Sequence, residues 1–308
     1  MARVSKTVSK VDFAALSRRN RARDILFAAL GMLVLFIAIS TLLALFLDLL
    51  ITGYPRLIDA DFYTSFPSRK PLQAGILSAW VGTIMVMLVT AFLAIPLGVG
   101  AGLYLEEYAD QNWFTDIIEI NVSNLAGVPS IVYGLLALGL FIYTFGMGET
   151  VLVAGMVLAL LILPIIIVAT REAVRSIPNE LREAAYGLGA NQWQTMSLYI
   201  LPAAKPGIIT GAIVGLSRAI GETAPIITIG ALSFIAFLPR SPVSGEFPFI
   251  NLDWVNSPFS VMPIQMFGWI SRPQADFQIT AAAAGVVLIL MTLVMNGLAI
   301  FIRYRARR

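Results

Sequence analysis

The 308-residue chain contains no cysteine and no histidine. Without cysteine there is no disulfide and no thiolate chemistry. Without histidine the commonest general base and transition-metal ligand is gone. Charge is scarce too: 13% of residues are Asp, Glu, Lys or Arg, against roughly a quarter in soluble domains. No G-x-x-x-x-G-K-[ST] loop occurs, so the backbone cradle for a nucleotide's phosphates is missing. These absences leave little with which to cut a substrate or hydrolyse a nucleotide. No catalytic residue and no metal site is assigned. Apolar residues fill the space: 58% of the chain is hydrophobic, and the mean hydropathy is +0.83. That is the composition of a membrane protein.

A helix crosses the hydrocarbon layer with about 20 apolar residues. Six runs reach that length: 25–47, 75–104, 122–145, 150–170, 206–238 and 277–302. The first is bounded by Asp24 and Asp48 and ends in LFLDLL. It lacks a small-residue cleavage site and reads as a retained anchor. The pI near 9.3 does not point to nucleic acid, because the basic residues cluster beside apolar helices. Arg3, Lys6, Lys10, Arg18, Arg19, Arg21 and Arg23 precede the first run, and Arg303, Arg305, Arg307 and Arg308 close the last. With both tails in the cytoplasm, the inner loops 105–121 and 171–205 add Arg171, Arg175, Arg182 and Lys205. Outside lie only Arg56, Arg69, Lys70, Arg240 and Arg272. This bias sets both termini inside. The expected organisation is a basic tail (1–24), a six-span membrane domain (25–303) and a basic end (304–308). In the outer loop 239–276, six prolines argue against regular helix. Trp254 and Trp269 there suit the headgroup level, or the loop forms a docking surface for an extracytoplasmic partner.

Loop 171–205 parses as two short helices. Pro178 can open the first, where a missing N–H costs nothing. Glu180 and Glu183 fall in its first turns, where the helix dipole favours acids. Gly187 and Gly189 can end it in a left-handed cap. Asn191 can cap the second helix, and Pro202 is expected to close it.

This loop is similar to the EAA signature of ABC-transporter permeases, EAA-x3-G-x9-I-x-L-P. Glu183, Ala184, Ala185, Gly189, Leu201 and Pro202 match at the right spacing, with Tyr199 in the isoleucine position. Four further stretches resemble the PstA type of phosphate permease: YLEEYA (104–109), AGVPSIVYGLLALG (126–139), SRAIGETAP (217–225) and MPIQMFGWISRP (262–273). The sister PstC type shares the RAIGET core, and the continuation T-A-P-I-I favours PstA. The resemblance implies an all-α, six-span permease of the type I ABC importer fold in a bacterial or archaeal inner membrane. Its expected partners are a second, PstC-like permease, two PstB-like ATP-binding subunits that use ATP and magnesium, a PstS-like phosphate-binding protein, and lipid. It implies no cofactor on this chain, and makes loop 171–205 the coupling helix seated in the ATP-binding subunit. The rival readings are a PstC-like half, a permease for another oxyanion, and a non-transporting scaffold.

One feature of the fifth run stands apart. With Pro206 or Gly207 as its inner end, Arg218 lies about 17 Å along a helix rising 1.5 Å per residue, with Glu222 about 6 Å beyond. An ion near the bilayer centre costs roughly 2.5–3.5 kcal/mol on the lenient insertion scale. Two readings remain open: an i,i+4 ion pair that pins packing, or an anion pathway in which the Arg218 fork meets an oxyanion. Thr223, Ser130 and Tyr133 offer hydroxyls nearby. Gly221 and Pro225 are expected to kink this helix, and Pro129 to break the third.

Overall fold

A computed structural model describes residues 13–110, 112–231, 234–242 and 251–306, the side chains of 13–19, 22 and 306 excepted. Arg3, Lys6, Lys10, Pro248, Arg307 and Arg308 lie outside the described residues, as do the side chains of Arg18 and Arg19. The described residues contain helices and turns and no strand. The chain forms two compact units, Met1–Ile51 and Thr52–Arg308. In the first, helix α1 (Phe13–Leu57) begins and runs on into the second. From Ile25 to Leu47 α1 is apolar on nearly every side and exposed, as suits lipid.

The second unit holds α2 (Ala60–Thr64), α3 (Leu77–Leu103), α4 (Trp113–Leu125), α5 (Ser130–Ala137), α6 (Val151–Arg175) and α7 (Asn179–Gly187). It continues with α8 (Gln192–Thr195), α9 (Leu201–Ile220), α10 (Ala224–Thr228), α11 (Met262–Ile270) and α12 (Ala275–Ala306). Among the described residues five helical stretches are long and apolar enough to span: Arg23–Leu57, Leu77–Tyr108, Val151–Arg175, Gln192–Ile220 and Ala275–Arg305. A bent pair, Trp113–Leu125 with Ser130–Thr144, brings the number to six if it counts as one span.

α3, α6 and α9 form the centre. Val86, Val89, Val157, Leu161, Ile162 and Ile166 belong to its main apolar cluster. Small residues let the helices approach. Gly207, Gly211 and Gly215 repeat every fourth residue on one face of α9 and meet Ala173, Ala169 and the Ile166/Ile162 pair of α6. Packing of this kind replaces the hydrophobic drive that lipid cannot supply between helices.

Several expectations need correcting. The run 122–145 breaks at Pro129 as expected, but its helical part begins earlier than the run does. α4 starts inside the expected cytoplasmic loop, where the Asn112 side chain accepts from the N–H groups of Phe114 and Thr115. The chain then turns through 105° before α5. Pro129, just before α5, has ψ 133°, outside the helical region, and a proline disfavours helix at the residue before it, which accounts for the break. The run 206–238 is not one span either, because α9 stops at Ile220 and α10 ends before Gly230, whose φ is +85°. Pro225 therefore does not kink a continuous helix. It sits in the first turn of a new one, where it is tolerated.

Pro202 does not close the helix that Asn191 opens. A π turn, Met196–Ile200, links α8 to α9, and Pro202 falls in the first turn of α9. The wider turn absorbs the proline that a regular helix would reject. The outer loop does contain a regular helix, α11, because Pro263 lies in its first turn. Trp269 is fully buried in a cluster with Phe62, Met262 and Phe277. It is a core residue and not a headgroup anchor.

Candidate functional site

At the end of α9 the main chain turns at Gly221, whose N–H reaches the Arg218 carbonyl at 3.3 Å. The Glu222 N–H donates to the Ala219 carbonyl at 3.2 Å, outside the helix. This turn folds Glu222 back so that Arg218 Nε lies 3.3 Å from its Oε1. The contact is the i,i+4 pair, but a helix terminus makes it and not a helix face. The Arg218 side chain keeps 38% of its surface exposed and Glu222 18%. The guanidinium is therefore open to another partner while held by one acid. Behind Glu222 lies a small recess lined by Thr83, Val86, Met87, Ile226 and Pro263.

The second break lies against the first. α10 packs on α5, with Gly134 beneath Pro225 and Thr228. A Cβ on Gly134 would fall 2.7 Å from Pro225 Cα and 2.8 Å from its carbonyl oxygen. Tyr133 donates its hydroxyl to the Leu125 carbonyl at 2.8 Å across the α4–α5 turn. That hydroxyl braces the break. Thr223 Oγ1 lies 3.5 Å from the Gly221 carbonyl, and Ser130 opens α5. Gly221, Glu222, Thr223 and Pro225 thus share one turn with Arg218, and Pro129 marks the companion break. Interrupted helices are where membrane proteins bring free backbone groups and charges to a polar pathway.

The EAA-like residues lie elsewhere, on α7, the turn after it and the first turn of α9. Gly189 has φ +84°, a conformation in which a side chain is strained. Asn191 and Gln194 close a reciprocal capping box. Glu183 and Ala184 are exposed and Ala185 is buried, while Leu201 is half-buried and Pro202 exposed. Leu181, Tyr186, Leu188 and Trp193 are also exposed. Such exposed apolar residues beside the acids Glu180 and Glu183 suit a protein groove.

Three of the five acids in 105–119, to which the sequence alone assigned no role, partner the arginines of 171–205. Glu106 takes both Nε and Nη2 of Arg175, at 2.9 and 3.0 Å, and Nε of Arg171 at 3.3 Å. Arg171 also reaches Glu119 at 2.5 Å. Glu107 accepts from Arg182 Nε at 3.2 Å. The signal was present as five acids without a base facing a basic loop, but the pairing was not.

Residues 94–308 match the family described as "binding-protein-dependent transport system inner membrane component". The chain belongs to this family. This inner membrane component is 29% identical to phosphate transport system permease protein PstA 1 of Mycobacterium tuberculosis, over 99% of this chain and 96% of that protein. It is 30% identical to PstA of Haemophilus influenzae, over 90% and 92%. It is 32% identical to the probable ABC transporter permease protein YqgI of Bacillus subtilis, over 87% and 91%. Two solved structures share the fold. The inward-facing MetNI methionine ABC transporter has a TM-score of 0.57 at 17% identity, over 74% of this chain and 94% of that one. A bacterial alginate ABC transporter with its pentasaccharide-bound periplasmic protein has a TM-score of 0.63 at 14% identity, over 91% and 94%. The fold is that of type I ABC importer permeases. The inner membrane component is multi-pass, its relatives are transport permeases, and its family works with another permease, ATP-binding subunits and a substrate-binding protein.

Proposed function

We propose that this inner membrane component is the PstA-type half of an ATP-driven phosphate importer. The observation that carries the reading is Arg218: a half-open guanidinium at a helix break, within a chain similar over its full length to PstA proteins. A guanidinium presents a planar fork that fits phosphate oxygens. Glu222 holds it when no anion is present and repels an anion that lingers. A pathway must release what it binds, and the neighbouring acid supplies that release. Thr223 adds a hydroxyl on the same turn. The partners are a PstC-like permease, two PstB-like subunits binding ATP and magnesium, and a PstS-like phosphate-binding protein. Both termini face the cytoplasm, as the basic residues require.

Glu183, Ala184, Ala185 and Gly189 form the part of the loop that enters the ATP-binding subunit, with Leu201 and Pro202 at the base of α9. Closure of the ATP-binding pair pulls this loop and rocks α9, which ends at Arg218. Because α8 runs into α9 through one π turn, the loop and the ion pair share a continuous helical stretch, Gln192–Ile220. The test is uptake of labelled phosphate into proteoliposomes holding the assembled complex and its binding protein. ATP-dependent uptake, competed by phosphate but not by sulfate or molybdate, is expected. Equal competition by sulfate would replace phosphate with a broader oxyanion class. Absence of ATP-dependent uptake would overturn the reading.

A further inference from the structure

The acids at the end of α3 point to a second mechanical link. Residues Tyr104–Tyr108 form a π turn that continues α3. Glu107, in this turn, is 6% exposed, and its partner Arg182 on α7 is 16% exposed. Seventy-five residues separate them in sequence. Arg182 also donates to the carbonyls of Ile177 (3.0 Å) and Val174 (3.3 Å) and to Asn179 Oδ1 (3.1 Å). The Glu107 carbonyl accepts from Gln192 Nε2 on α8 at 2.8 Å. One residue of α3 therefore holds both helices of the loop, through its side chain and its backbone. Beside it, Arg171 of α6 joins Glu106 of the same π turn to Glu119 of α4.

We propose that Glu107 and Arg182 are positioning residues that transmit movement of loop 171–205 to α3, and that Arg171 extends the transmission through Glu106 and Glu119 to α4. This rests on the reading of 171–205 as the coupling loop. Covalently the loop is joined only to α6 and α9, so a pull on its exposed face would otherwise reach α3 through apolar packing and the solvent-exposed Arg175, which Glu106 holds at the root of the loop. Apolar contacts slide. A largely buried, multiply bonded guanidinium does not, because separating one partner leaves a poorly compensated charge. The stroke then moves α3 together with α9, and α4 with the break ahead of α5.

The experiment measures ATP hydrolysed per phosphate imported by the complete complex in proteoliposomes. Arg182→Gln and Glu107→Gln are each expected to raise that ratio roughly tenfold, and the double variant no further, because both remove one shared interaction. An unchanged ratio in assembled complexes overturns the proposal, as does a double variant equal to the product of the singles. Should the Gln variants fail to assemble, Glu107→Asp keeps the charge and shortens the reach. A raised ratio there supports the link, and an unchanged one overturns it. Gly189→Val separates this idea from the reading beneath it. If Gly189→Val abolishes import while the Arg182 and Glu107 variants couple normally, only the link fails. If Gly189→Val also imports normally, the coupling-loop reading itself is wrong.

Discussion

Two arginine–glutamate pairs of nearly equal length, 3.3 Å for Arg218–Glu222 and 3.2 Å for Arg182–Glu107, serve opposite ends. The first joins residues four apart across the end of α9, and its arginine is 38% exposed. No further acceptor holds that guanidinium in the described structure. The second joins α7 to the end of α3, and its guanidinium also holds two carbonyls and an amide oxygen. Distance alone says nothing about permanence. An accessible pair with one contact contributes about 0–1 kcal/mol and can be exchanged for a better anion. Separating a largely buried pair whose arginine makes four bonds costs more, up to the roughly 3–5 kcal/mol of a fully buried pair, so it behaves as a strut.

The sharpest way to break this comparison is Arg218→Gln. It is expected to lower phosphate uptake roughly hundredfold, the scale of a lost charge-assisted fork, while the complex purifies in normal amount. Arg218→Lys keeps charge without the planar fork and should recover only part of the rate. Normal uptake by the Gln variant would make the pair structural, and loss of assembly would make it a strut like Arg182.

Next in size is Gly134→Ala, which tests whether the two breaks must touch. The added Cβ meets Pro225 backbone, which cannot move as a side-chain tip can. Overpacking of this kind costs about 2 kcal/mol. The thermal midpoint of the purified complex should fall, and uptake with it. An unchanged midpoint would show that α5 and α10 separate freely.

Glu222→Gln should have a smaller, signed effect. Without the competing acid, Arg218 is free for anion at all times, so phosphate is held more tightly and released more slowly. Both KM and kcat for uptake are expected to fall, by roughly fivefold. A rise in KM would mean that Glu222 orients Arg218 for the anion and does not oppose it.

The same contrast explains what the sequence could and could not reveal. Local devices were legible. Pro178 precedes α7, Gly189 takes a positive φ, and Asn191 caps α8, because each depends on a few neighbouring residues. The apolar runs that became α3, α6 and α12 were legible for the same reason. Prolines were half-legible: the missing N–H was certain, its consequence was not. Pro225 and Pro263 start helices, while Pro202 is absorbed beside a π turn. Pairings over long separations were invisible. Nothing local announces that Glu107 meets Arg182 or that Trp269 joins Phe62 in a core. Arg218 stood out because an ion in an apolar run is rare, and its neighbour was close enough to name.

The smallest expected effect isolates Arg218 from its helix. Ser217, one residue earlier, contacts the Asn296 side chain on α12 and donates to the Ile213 carbonyl at 2.7 Å. Thr210, two turns earlier, accepts from Arg303 on α12 at 3.0 Å. α9 is thus tied to α12 by polar contacts next to the proposed pathway. If Arg218 acted by holding α9 in place, removing a tie beside it should impair transport similarly. If Arg218 acts on the anion, Ser217→Ala should cost only the roughly 0.6 kcal/mol typical of an interhelical hydrogen bond in a membrane protein. Uptake should then stay within twofold or so of the parent chain. A loss matching that of Arg218→Gln would move the origin of the defect from the guanidinium to the seating of α9, and the two arginine pairs would differ only in burial.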